Sequence, residues 1–124
     1  MATLASAQFS ATFKNLTTYT YGEPRMGNPA FASFINSAFA ATNSSTTRFF
    51  RVTHQNDGIV PAPPASNGYQ HHGIEFWSKD PASASNMVVC GAETLDCCAG
   101  QGGSGINSAH TTYFGITSGN CVNK

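Results

Sequence analysis

Asp57 and His71 stand fourteen residues apart, the first just beyond a run of strand-forming residues and the second in the aromatic, glycine-rich stretch GYQHHGIEFW. An aspartate after a strand and a histidine on a later loop is the order of the last two members of a Ser, Asp, His hydrolytic triad. In that chemistry His71 takes the proton of a serine hydroxyl, and Asp57 holds its tautomer and stabilises the imidazolium. His54 sits at the strand end, where it is expected to hydrogen-bond a loop rather than to catalyse. His72 adjoins His71, and neighbouring side chains on extended backbone diverge, so only one of the two can face a common site. A zinc site built from His54, Asp57 and His71 or His72 is the metal alternative. Glu23 and Arg25 flank Pro24 and are expected to form a loop ion pair. The run GQGGSG lacks the lysine of a phosphate-binding loop. Ser104 misses the Gly-x-Ser-x-Gly pattern because Ile106 stands where the last glycine belongs, so no nucleophile elbow is present in these residues.

The four cysteines lie at 90, 97, 98 and 121. Paired Cys-x-x-Cys or His-x-x-x-His ligands of a structural zinc site do not occur, so disulfides are favoured over metal. A Cys90–Cys97 bridge would close a loop of about eight residues, contributing roughly 2.5 kcal/mol in the chain-entropy model. Cys121 is then left with Cys98 as its only free partner in the chain. Asn15 and Asn43 begin glycosylation sequons, a pattern that also arises by chance in Asn-, Ser- and Thr-rich sequence.

These groups need elements to position them. Met1 to Phe13 is Ala-rich, with Leu4, Ala7 and Ala11 one turn apart, and predicts a helix. Leu16 to Tyr21 predicts a strand that Gly22 stops. Pro29 suits a first helical position behind an Asn28 cap, and Phe31, Phe34, Ile35, Ala38 and Phe39 follow at helical spacing. Thr47 to Thr53 predicts a second strand, which makes a right-handed βαβ crossover and a parallel pair. Beyond it the prolines at 61, 63 and 64 keep the chain irregular through His71. Ile74 to Ser78 and Met87 to Cys90 predict a hairpin, Cys97 to Gly105 a glycine-rich loop, and Asn107 to Thr112 a short helical turn.

Composition bounds the rest. The chain has 124 residues, six Lys plus Arg against six Asp plus Glu, and 10% charged residues in all. This length suits one domain or part of one. Zero net charge with scattered cations argues against nucleic-acid binding, which needs clustered Lys and Arg. No apolar run approaches the ~18 residues of a spanning helix. Few charges, many small polar residues and nine Phe suit a secreted globular protein better than a disordered one.

Four stretches, YTYGEPRMGNPAFASF, FFRVTHQNDGIVPAPP, GYQHHGIEFW and HTTYFGITSGNC, together resemble the carboxyl-terminal half of a fungal class 3 lipase, and within that family its feruloyl esterase branch. The resemblance runs from Met1 to Cys121. It implies an α/β class and an incomplete α/β-hydrolase fold, with residues 1–124 forming the later part of a mostly parallel sheet and its flanking helices. The family's Thr-His-x-x-Asp motif falls on Thr53, His54 and Asp57, making Asp57 the triad acid. Its Gly-Tyr-x-His motif falls on Gly68, Tyr69 and His71, which selects His71 as base, with Glu75 four residues on. His72 stands where the family has a glycine. The resemblance further implies that Ile59, Pro63 and Pro64 line the acyl or alcohol pocket, that Cys90 and Cys97 pair, and that Cys121 pairs with a cysteine near the family's amino terminus. It implies no cofactor and no metal.

In the family a Gly-His-Ser-Leu-Gly segment lies immediately before the helix that begins here at Met1. The resemblance therefore places the nucleophile, the oxyanion donors and the lid outside this chain, which alone is expected to hydrolyse no ester. It also leaves the Leu16 to Tyr21 strand as an exposed edge prone to aggregation. The function implied is that of a fragment of an extracellular serine carboxylic-ester hydrolase acting on feruloylated polysaccharide or acylglycerol, although no signal peptide is present. The alternative is a truncated, non-catalytic relative that persists as a binding or inert secreted protein.

Overall fold

A computed structural model describes residues 1–119. The chain order is helix α1 (Ala2–Ser10), strand β1 (Thr18–Tyr21), helix α2 (Pro29–Phe39), strands β2 (Phe49–His54), β3 (Glu75–Ser78) and β4 (Met87–Cys90), helix α3 (Ser108–Thr111), and the short strands β5 (Thr112–Tyr113) and β6 (Ile116–Thr117). The main sheet runs β1-β2-β3-β4. β1 pairs with β2 and β2 with β3 in parallel, while β3 and β4 form an antiparallel pair. The βαβ crossover and the hairpin are therefore as expected. β5 and β6 make a separate two-stranded ribbon.

α2 begins where its sequence says it must. The Asn28 side chain accepts a hydrogen bond from the Phe31 N–H at 3.0 Å, and Pro29 occupies the first turn, where its missing N–H costs nothing. Ile35 and Phe39 are fully buried and pack with Ala41 and Phe49, while Leu16, Phe31 and Ala38 pack around them. Phe39 and Phe49 meet edge to face at 5.4 Å between ring centroids. Phe34 turns outward. A second core joins Val60, Trp77, Cys90, Cys97 and Cys98. Cys90 and Cys97 form the disulfide, and Cys98 is a buried free thiol. Cys121 lies outside the described residues.

α1 departs from the expected pattern. It ends at Ser10 rather than Phe13, with the Ser10 hydroxyl hydrogen-bonded back to the Ala7 carbonyl at 2.8 Å. Its buried residues are Thr3 and Ser6, while Leu4 is exposed. The reason is the surface it covers. Ser6 bonds Thr18 of β1 at 2.7 Å and Thr3 bonds the Glu23 carboxyl, so polar partners, not apolar area, decide which face turns inward.

α1 and α2 cover the sheet face that carries Thr18, Phe49 and Arg51. The opposite face carries a row of aromatics. Tyr19 stacks on Phe50 at 4.7 Å, and Phe50 meets Phe76 at 5.3 Å. Among the described residues no strand pairs with the outer edge of β1. The buried and exposed faces of α2 predict contrasting substitutions. Phe39→Ala removes a ring with 0% exposure and should cost about 3–5 kcal/mol of unfolding free energy, whereas Phe34→Ala, 49% exposed, should cost under about 1 kcal/mol. Urea denaturation of the two variants checks this.

Candidate functional site

The Asp57 side chain is 0% exposed, just past the carboxyl end of β2. A carboxylate there needs donors, because an unpaired buried charge is costly. It has three. Its Oδ1 accepts the Ile59 N–H at 2.9 Å, and its Oδ2 accepts the Tyr113 hydroxyl at 2.8 Å. The third donor is His110, whose Nδ1 lies 3.0 Å from each carboxylate oxygen.

The imidazole that meets Asp57 is thus His110 and not His71. His110 lies on α3, one turn of helix capped by the Asn107 side chain, which accepts the His110 N–H at 3.0 Å. Its side chain is 28% exposed, so the ring joins a buried acid to an accessible surface. With Nδ1–H donated to Asp57, the Nε2 lone pair is free to accept a proton. This is the geometry of an acid–base dyad.

Gly22 makes the approach possible. It stops β1 at φ +61°, and a Cβ there would stand 2.7 Å from the Asp57 Oδ2 and 2.9 Å from the His110 Nδ1. The glycine-rich loop presses on the same segment from another side. A Cβ on Gly103 would fall 1.6 Å from the Asn56 carbonyl oxygen, so close backbone packing, rather than phosphate binding, explains that glycine.

His71 occupies a different place. It is buried, its backbone N–H donates to Glu93 at 2.7 Å, and neither ring nitrogen has a hydrogen-bond partner among the described residues. Burial, reinforced by the positive charges of Arg51 and Arg25, pushes its pKa down to about 2. Its ring thus neither touches Asp57 nor reaches solvent. His72 is equally buried, its ring 4.5 Å from that of Phe49, and burial lowers its pKa to about 3.

Both belong with a polar cluster inside the sheet. Arg51, fully buried on β2, lies 3.9 Å from Glu75 and donates to the His72 carbonyl at 3.3 Å and the Ala92 carbonyl at 3.2 Å. The Thr53 hydroxyl bonds Glu75. Glu23 accepts from Thr3 and Thr20 and lies 3.7 Å from the His72 Nε2, and burial raises its pKa. The expected Glu23–Arg25 pair does not form. Arg25 instead pairs with Glu93 at 2.7 Å, while Glu23 is taken up by the Thr3 and Thr20 hydroxyls.

The other candidates resolve simply. His54 hydrogen-bonds the Ala109 carbonyl of α3 at 3.1 Å and Asp80, in the loop after β3, at 3.0 Å. Among the described residues no group of three or more His, Cys, Asp or Glu is placed to hold a metal ion. A cavity of about 480 Å³ lies beside the dyad, lined by Tyr21, His110, Thr111, Tyr113, Phe114, Ile116 and Ser118. Ile59, Pro63 and Pro64 do not line it. Cys98 is buried against the carbonyls of His54 and Asp57, and burial drives its thiol pKa up to about 12, which makes it inert.

Comparison with known proteins places this geometry. Residues 1–67 match the family model for lipase (class 3). The chain belongs to the class 3 lipase family. A lipase of Rhizopus oryzae is 35% identical over 111 residues, which cover 88% of this chain and 26% of the relative. The secreted mono- and diacylglycerol lipase 1 of Fusarium solani is 34% identical over 120 residues, covering 92% of this chain and 34% of the relative. The solved lipase from Rhizopus microsporus var. chinensis superposes with a TM-score of 0.78 at 34% identity, covering 97% of this chain and 41% of that one. The chain thus spans between about a quarter and a third of the length of these curated relatives. Its structural neighbours are fungal lipases of the α/β-hydrolase fold, which agrees with the mostly parallel sheet.

The buried histidines give a pH dependence. Above 6.5, folded and unfolded chains both carry them neutral. Below it the unfolded chain takes up protons that the folded state refuses until about 3 for His72 and about 2 for His71, so stability falls as pH falls. Each histidine contributes a slope of about 1.4 kcal/mol per pH unit in that window. Urea denaturation at pH 5 should show at least about 2 kcal/mol less stability than at pH 7, and the double variant His71→Asn, His72→Gln should lose most of that difference.

Proposed function

We propose that this chain supplies the acid and the base of a serine carboxylic-ester hydrolase, with Asp57 as acid and His110 as base. The observation that carries this is the buried Asp57 carboxylate held at 3.0 Å from the Nδ1 of a partly exposed imidazole. Among the described residues no hydroxyl bonds the His110 Nε2, and the sequence has no Gly-x-Ser-x-Gly segment. On this reading the nucleophile is supplied by a further segment of a longer protein. That agrees with the 26% of the Rhizopus oryzae lipase and 34% of the Fusarium lipase that the chain spans.

The steps follow from the tautomer. His110 Nε2 removes the serine hydroxyl proton as the oxygen attacks the ester carbonyl carbon. The imidazolium, held by the Asp57 carboxylate, then gives that proton to the departing alcohol oxygen, leaving an acyl-enzyme. Water, deprotonated by the same Nε2, attacks the acyl carbon. The acid is released as the proton returns to the serine oxygen. Tyr113 and the Ile59 N–H keep Asp57 an acceptor throughout.

An apolar acyl group suits the cavity beside His110. Acylglycerols are the substrates that the relatives' names support. A feruloyl ester is the second reading, favoured by the aromatic walls, where Tyr21 meets Tyr113 at 5.6 Å and Phe114 at 6.3 Å.

The test is turnover of tributyrin and methyl ferulate. The chain alone should give no rate above buffer. Joined to a nucleophile-bearing amino-terminal segment, it should turn over one of the two. His110→Ala or Asp57→Asn should then lower kcat by about 10³–10⁴-fold, and His71→Asn by less than about tenfold. Loss with His71→Asn but not with His110→Ala would overturn the assignment. No turnover of any ester after joining would favour a non-catalytic, binding role.

A further inference from the structure

We propose that His54 is a positioning residue for the base, held as an imidazolium between two acceptors and fixing the backbone immediately before His110. The inference rests on the Asp57–His110 reading and extends it to the opposite side of α3.

His54 is the last residue of β2 and is 6% exposed. Its Nδ1 lies 3.1 Å from the Ala109 carbonyl oxygen and its Nε2 lies 3.0 Å from Asp80 Oδ1. A carbonyl only accepts, and so does an ionised carboxylate. A neutral imidazole has one N–H and satisfies one of them. Only the doubly protonated ring satisfies both. The hydrogen bond from His54 also lowers the pKa of Asp80, which keeps that carboxylate ionised.

Ala109 precedes His110 on a four-residue helix. Helix-end carbonyls lack intrahelical donors, and in a single turn all of them are of this kind. The end of β2 therefore grips α3 twice. Asp57 holds the His110 ring, and His54 holds the peptide one residue before it. Asp57 and His54 are themselves joined, the Asp57 N–H donating to the His54 carbonyl at 2.9 Å.

The groups facing His54 come from each neighbouring element. Asp80 follows β3, His110 lies on α3, Tyr113 lies on β5 with its ring 5.5 Å away, Cys98 contacts the His54 carbonyl at 3.9 Å, and Asp57 follows on the same chain segment. Among these, Asp80 and Asp57 are the anions, and Asp57 is already bound to His110 and Tyr113. Asp80, 61% exposed, is the one that pairs with His54.

Nitrogen-15 NMR of the full chain, labelled at histidine, tests this without requiring turnover. Both His54 ring nitrogens should carry protons at pH 7. The His110 Nδ1–H should exchange slowly with water, and losing the second His54 proton should accelerate that exchange at least about tenfold. Asp80→Asn, a surface change that leaves the fold intact, should remove the His54 Nε2 proton at pH 7 and accelerate exchange of the His110 proton by a similar factor. His54→Gln, which keeps one donor for the Ala109 carbonyl, should fall between wild type and His54→Phe. A singly protonated His54 at pH 7, or a His110 exchange rate unchanged in Asp80→Asn and His54→Gln, would overturn the proposal. If the His110 Nδ1–H were found not to bond Asp57 at all, the dyad would fail first, and the His54 protonation state would then be read on its own.

Discussion

A carboxylate with no access to water governs the arrangement at this end of the sheet. Asp57 stays ionised there only if donors replace its hydration, and three converge on it from parts of the chain far apart in sequence. Ile59 comes from its own loop, His110 from α3 and Tyr113 from β5. Removing any one leaves the others to bear a buried charge, so the ribbon and α3 are held in place by electrostatic need as much as by packing. Burial and the bond to Asp57 push the Tyr113 hydroxyl pKa far up, which keeps this group a donor.

The same constraint is met differently further back along β2. Arg51 points inward from β2, where an apolar residue would ordinarily stand, and its charge is matched by Glu75 with help from backbone carbonyls. Burial lowers the pKa of Arg51, yet the nearby glutamates oppose that shift. In this company a second cation is disfavoured. His71 and His72 are kept neutral by burial and by Arg51, and their imidazoles become polar filler rather than acids or bases. The dyad and the cluster are therefore two outcomes of one principle: each buried ionised group recruits a partner, and each uncompensated titratable group surrenders its charge.

Much of this was legible in the sequence, for identifiable reasons. Asn28, Pro29 and the Phe31, Ile35, Phe39 spacing specify α2 locally, so its start and its buried residues match the reading, while Phe34 of the same spacing is exposed. Asp57 follows a strand whose β-branched and aromatic residues announce it. What failed was the choice among histidines. Both His71 and His110 follow Asp57, and order along the chain cannot separate them. The useful signal was the Asn107 cap three residues before His110, followed by Tyr113 and Phe114. A capped single turn beside aromatics presents an imidazole at a surface, whereas His71 opens a run of buried residues, His71 to Glu75. The apolar spacing of α1 does not reveal its buried face, because a glutamate and a threonine beneath it select Thr3 and Ser6. β5 and β6 are two residues each, too short to carry any periodicity.

The proposed base, His110 on a four-residue helix, poses a physical problem that the sheet solves. One turn of helix has no stability of its own, since nucleation fixes several residues for a single hydrogen bond. The order must come from outside. It comes from β2, across 53 residues through Asp57 and 55 through His54, and from Gly22 at the end of β1, whose missing side chain lets the ring come close. Asn107 adds to this, its side-chain amide donating to the Asn56 carbonyl at 2.8 Å while its carbonyl oxygen caps α3. The strand ends are the rigid part of the fold, because β2 is hydrogen-bonded on both sides. Placing the acid on that strand end and tying the base to it converts a flexible late segment into a fixed one, and the precision of the dyad is then set by β2 rather than by the helix that carries the imidazole.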